Sequence, residues 1–183
     1  EGDTAGSGSN ADAATSISGT FNGAGASAQE AAQAAWIAGY QSEHSGVTIN
    51  YNPVGSGSGR TQFIEGGTVF AGSDAYLSDE ELDGNFASCA ADSKAIDLPV
   101  YISPIAVVFN IDDVNNLNLD PVTLAKVFRG DITRWNDPAI AGLNPDEQLP
   151  DEPITVVYRS DDSGTTENFT DYLSATAVSA WDA

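Results

Sequence analysis

The sequence predicts an α/β fold, and three observations carry that expectation. Strand-like and helix-like runs alternate over most of the 183 residues. The early strand-like runs alternate apolar and polar residues, whereas Leu98 to Asn110 and Ile154 to Tyr158 are apolar nearly throughout. Three strand-to-helix junctions are short loops of Gly with Ser or Thr.

Residues 1–15 are mostly Gly, Ser, Ala, Asp, Thr and Asn with no apolar period, which reads as a flexible tail or surface tether. No signal peptide is visible, so the chain reads as mature or trimmed. Ser16 to Phe21 alternates and predicts a strand. Ala28 to Tyr40 predicts a helix, with Ala32, Trp36 and Tyr40 on one face. His44 follows it as a surface cap. Val47 to Tyr51 predicts a second strand, Thr61 to Glu65 a short helix, and Thr68 to Ala71 a third strand. Ser78-Asp79-Glu80-Glu81 has the form of a capping box. Leu98 to Asn110 predicts a long buried strand; Pro99, Ser103 and Pro104 interrupt it, and it is too short to span a membrane. Pro121 opens a helix with Leu124, Val127 and Phe128 facing inward, and Gly130 ends it. Ile154 to Tyr158 predicts another buried strand. Thr166 to Leu173 predicts a helix with Phe169, Tyr172 and Leu173 on one face.

Charge narrows the function. With 27 acidic and 6 basic residues, the net charge is −21. That balance argues against nucleic acid or an anionic membrane as partner. The carboxylates are scattered, as on a solvated surface, and only Lys94 and Lys126 are lysines. Such a surface serves solubility; the near absence of lysine motivates a second reading, salt adaptation, which expects a rise in melting temperature between low and multimolar salt and is refuted by a salt-independent melt. Cys89 is the only cysteine and His44 the only histidine. Neither a disulfide framework nor a His- or Cys-rich metal site can be built, and Ser-His catalysis lacks its usual base. Asp112 to Asn118 lacks the glycine and terminal glutamate of a calcium loop.

The chemistry concentrates in the three loops, Gly23 to Ser27, Val54 to Gly59 and Arg159 to Thr165. Each precedes a helix-like run, whose first N–H groups and dipole favour an anion. The first loop also fits a relaxed dinucleotide fingerprint, but Glu43 falls in the wrong place for the ribose contact. Neither a nucleophile elbow nor a phosphate-loop lysine is present. Arg159 follows a strand-like run, and its planar fork suits a bidentate contact with phosphate. Asp161 is placed to orient that fork. The ionised Asp74 can only accept hydrogen bonds and never donate them, so beside an anion site it favours a ligand that carries a proton. Phosphate does so at neutral pH; sulfate does not.

Taken in order, these segments resemble the phosphate-binding protein of the high-affinity phosphate ABC transporter, the PstS family. The resemblance rests on Gly23-Ala24-Gly25-Ala26-Ser27, Tyr51 to Gly59, Phe70 to Asp79, Leu98-Pro99-Val100-Tyr101, Val127 to Ile140 and Val156 to Thr166. It implies a two-domain clamshell of the periplasmic-binding-protein type II kind, with domains over residues 16–98 and 99–183. The ligands implied are Ser27, Ala28, Ser56, Asp74, Arg159, Ser163, Gly164 and Thr165, with Asp161 in support. No catalytic residue, metal or cofactor is implied. The partners implied are inorganic phosphate and a membrane permease, and the location is extracytoplasmic, at a cell surface or in a periplasm. Sulfate or molybdate binding and phosphate-ester hydrolysis are the alternatives. Two departures stand out: Ser27-Ala28 replaces the usual Thr-Phe, and Asp162 replaces a common glycine. Family members are nearly twice as long. The resemblance therefore adds the remainder of the same protein as a partner, which is expected to complete the fold and to hold a disulfide partner for Cys89.

Overall fold

The computed structural model describes residues 17–91 and 93–182, so the expected tail lies outside the described residues. β1 (Gly19–Gly25), β2 (Val47–Asn52) and β3 (Phe70–Gly72) form one parallel sheet in the order β2-β1-β3. Helices α1 (Glu30–Glu43) and α2 (Ser56–Ile64) connect them. A short 3-10 turn, Ser27–Gln29, leads into α1. The strands are found where alternation predicts them, but β1 is shifted toward its C-terminus. Its limits follow from the ladder rather than from local pattern: Gly19 pairs with Val47, and Gly25 with Gly72. Gly23-Ala24-Gly25 is therefore strand, buried between two neighbours, and not a loop.

Gly25 pairs with Gly72 at the end of the β1–β3 ladder. Its φ is +150°, and a Cβ there would sit 1.9 Å from the Gly72 carbonyl oxygen. The α2 helix also departs from expectation, starting five residues early at Ser56. Glycines weaken a helix by about 1 kcal/mol each, yet Gly57 and Gly59 lie inside this one. Packing overrides propensity: a Cβ on Gly59 would lie 2.4 Å from the Gly25 Cα.

Beyond the sheet, α3 (Asp79–Asp83) begins with the expected capping box between Ser78 and Glu81. The α4 helix (Pro121–Arg129) packs with α6 (Gly164–Thr176) and α7 (Val178–Trp181) around Leu124, Ala125, Leu173, Ala177 and Ala180. A second cluster joins Val127, Ile132 and Ile140, the last on α5 (Pro138–Leu143). Phe169 and Leu173 face the first cluster, whereas Tyr172 points outward.

Local signals fix the ends of α4. The Asp120 carboxylate accepts the Thr123 N–H at 2.7 Å, Pro121 takes the first turn, and Gly130 closes the helix at φ +81°. The Thr123 N–H and hydroxyl hold the Asp120 carboxyl below its ordinary range. A depressed carboxyl pKa gives stability that is present above the unfolded value, about 4, and lost as pH falls through the folded one. Asp120→Ala is expected to lower stability by about 1 kcal/mol at neutral pH. Thermal melts across pH check this: the gap to wild type should close below about pH 4.

Two expected strands do not form. Leu98 to Asn110 forms neither helix nor strand and pairs with no strand among the described residues, and Ile102 and Val108 are 97% and 87% exposed. Ile154 to Tyr158 makes only a single bridge at its edge, between Arg134 and Pro153. Ile154 and Val156 pack on the second cluster, while Val157 and Tyr158 are exposed. An apolar run becomes a buried strand only when a neighbouring strand takes its backbone groups and a layer covers each face. The described residues supply neither. For the same reason the Trp36–Tyr40 face of α1 is exposed, with Trp36 edge-on to Tyr101 at 5.8 Å. His44 sits at the end of α1, its ring 4.3 Å from that of Tyr40, and its backbone N–H donates to the Tyr40 carbonyl.

Candidate anion-binding site

Because the three strands are parallel, their C-terminal ends share one edge of the sheet. The order β2-β1-β3 reverses the winding beside β1, and crevices at such switch points are common ligand sites. Three predicted residues occupy that edge. Ser27 follows β1, Ser56 follows β2 as the first residue of α2, and Asp74 follows β3.

The α6 N-terminus abuts the same edge. Ser163 caps it, accepting the Thr166 N–H at 3.4 Å. Gly164 lies so close to α2 that a Cβ would be 2.6 Å from the Ser56 hydroxyl. Two helix N-termini thus converge at Ser56, which is 1% exposed, and both turn their positive ends toward one place. The Gly57 N–H already donates to the Asp162 carbonyl at 3.2 Å.

Asp74 is held from both sides. Its N–H donates to the Ser56 hydroxyl at 3.2 Å. Its carboxylate accepts the Thr165 hydroxyl at 3.1 Å, and its carbonyl accepts the Asn168 amide at 2.8 Å. Arg159 is exposed beside Ser27. Its Nε donates to Asp161 at 2.7 Å and a terminal nitrogen donates to the second oxygen of the same carboxylate. That terminal nitrogen also donates to the Ser27 hydroxyl at 2.8 Å. The hydrogen bond to Asp161 raises the Arg159 pKa further, so the charge is permanent. Ala28 lines a cavity of about 340 Å³ with Asp74, Tyr101, Thr165 and Asn168. Burial first, then the Asp74 charge, pushes the nearby Tyr51 hydroxyl up to about 12. That hydroxyl stays protonated and donates to the Ala26 carbonyl.

All eight predicted ligand residues therefore gather at one edge, together with Asp161. Several supporting residues were not expected. Gln29, 5% exposed, donates to the Ser73 carbonyl at 3.0 Å and so holds the segment before Asp74. Asn168 bridges Asp74 and the Gly164 carbonyl. Its position one turn after Gly164 was the available signal. Arg60, on the second turn of α2, contacts Ser73, Glu81 and Glu167. It is one of only four arginines, and that scarcity was the only pointer to it.

A family model described as a PBP superfamily domain matches residues 10–182. The chain belongs to the PBP superfamily. Within reach of this PBP superfamily domain are phosphate-binding protein PstS 3 of Mycobacterium tuberculosis, 46% identical over 162 residues, and PstS 2 of the same species, 44% identical over 161. Phosphate-binding protein PstS of Pasteurella multocida is 39% identical over 157 residues. These alignments cover 85–88% of the chain but only 43–44% of each relative. The chain thus spans less than half the length of the curated relatives it matches. A crystal structure of an ABC-type phosphate transport receptor from Vibrio cholerae superposes with a TM-score of 0.54 at 21% identity. It covers 84% of this chain and 55% of the receptor, and supports the PBP fold.

Proposed function

We propose that this chain carries the anion cleft of an extracytoplasmic solute-binding protein that captures inorganic phosphate and hands it to an ABC-type permease. The observation that carries the reading is the placement of the Asp74 carboxylate beside two converging helix N-termini. Donors alone attract any oxyanion. A carboxylate among them requires that the ligand bring a proton, because an unprotonated oxyanion against it costs several kcal/mol.

In this reading residues 16–98 and 99–183 contribute to two lobes of a clamshell. Ser27, Ala28, Ser56 and Asp74 lie on one; Arg159, Ser163, Gly164 and Thr165 lie on the other. Phosphate bridges them and favours closure by contacting both. The role is binding and delivery, without catalysis. The −21 charge does not repel the ligand at range, since surface charges are screened beyond about 10 Å at 0.1 M salt. The remainder of a longer protein covers the exposed runs at 98–110 and 154–158, as the greater length of the relatives supports. The N-terminal tail tethers the whole to a surface.

Calorimetry of the chain with phosphate and with sulfate tests the proposal. Wild type is expected to favour phosphate by about 100-fold or more, and Asp74→Asn to narrow the gap mainly by admitting sulfate. Equal wild-type affinity for the two anions would leave the Asp74 argument without support.

A further inference from the structure

Arg60 is the most enclosed charge in the described residues, with a side chain 10% exposed. It has two carboxylate partners of different standing. Its Nε donates to Glu81 at 2.9 Å. Glu81 is itself fixed, because its other oxygen accepts the Ser78 N–H at 2.8 Å in the capping box of α3. Burial pushes the Glu81 carboxyl up, but the Ser78 and Arg60 hydrogen bonds outweigh it and hold it below its ordinary range. Glu167 differs. It lies in the first turn of α6, is 39% exposed, and takes both terminal nitrogens of Arg60 at 3.3 Å. One Arg60 nitrogen also donates to Ser73, directly before Asp74.

We propose that Arg60 and Glu167 form a latch across the cleft, a positioning pair that holds the α6 N-terminus against Asp74. The inference rests on the phosphate-binding reading above. Glu81 is the permanent partner, on the same lobe as Arg60. Glu167 is the removable one, on the other lobe. When the lobes part, Arg60 keeps Glu81 and Glu167 gains water, so opening leaves no buried charge unpaired. When they meet, Glu167 adds a contact that exists only in the closed state. A pair made only in the closed state raises ligand affinity by shifting the closure equilibrium. It does so without touching the anion, so it leaves selectivity between anions unchanged.

The experiment compares wild type with Glu167→Gln in the chain as it stands. Glu167→Gln should weaken phosphate about 3- to 10-fold, chiefly through faster dissociation, by the population-shift argument. The phosphate-to-sulfate ratio and the melting temperature of the ligand-free protein should not move. Spin labels on α1 and α4 should show a smaller short-distance population in Glu167→Gln, with and without phosphate. Unchanged distance distributions overturn the latch, and so does a ligand-free melting temperature that falls with the substitution. If wild type binds no phosphate, the phosphate reading fails, and the spin-label distances alone still decide the latch.

Discussion

Arg159→Ala should lose phosphate binding by roughly 100-fold or more while the fold persists. Two charge-assisted hydrogen bonds from one guanidinium are worth about 1.5–3 kcal/mol each. Arg159 is exposed and lies outside both hydrophobic clusters, so its removal leaves no cavity. Arg159→Lys should recover only part of the affinity, because an ammonium cannot reproduce the fork that Asp161 and Ser27 orient. Calorimetry with phosphate, alongside a melt of the ligand-free protein, checks both parts. Wild-type affinity in Arg159→Ala would remove Arg159 from the site.

Gly25→Ala should have the largest effect on stability. The added Cβ meets the Gly72 carbonyl oxygen at 1.9 Å, and the backbone holds a positive φ of +150°. Neither problem is eased by a side-chain rotation, because the obstacle is backbone in the neighbouring strand. A cost of about 3 kcal/mol or more is expected, which is a fall of about 6–12 °C in melting temperature for a chain of this size. Binding should fall with it, because β1 and β3 carry Ser27 and Asp74 at their ends. A melting temperature within a degree of wild type counts against this account of the β1–β3 contact.

What was legible in the sequence was mostly local. Asp120-Pro121 and Gly130 mark the two ends of α4 within a few residues, and Ser78 with Glu81 marks the start of α3. Asp161 and Arg159 are two residues apart, and their pairing follows from that spacing. What was not legible depends on distant partners. The limits of β1 are set by β2 and β3, and the early start of α2 by contact with Gly25 and Asp162. Arg60 and Glu167 are 107 positions apart, and neither carries a motif. The predicted ligands were found because their loops share a chemistry that each segment states separately. The residues that hold those loops in register were missed because their role exists only once the chain has folded.

The uncovered run also has a consequence for handling. From Leu98 to Ile111 there is no Asp, Glu, Lys, Arg or His, in a chain that elsewhere carries 27 acidic residues. Such a run, apolar, exposed and unpaired, is a template for contact between molecules. Mutual repulsion of the acidic surfaces keeps copies apart at neutral pH. Near the isoelectric point of about 4.1 that repulsion vanishes, and the chain should precipitate there. The negative charge therefore acts as a colloidal dispersant for one uncharged stretch of its own backbone.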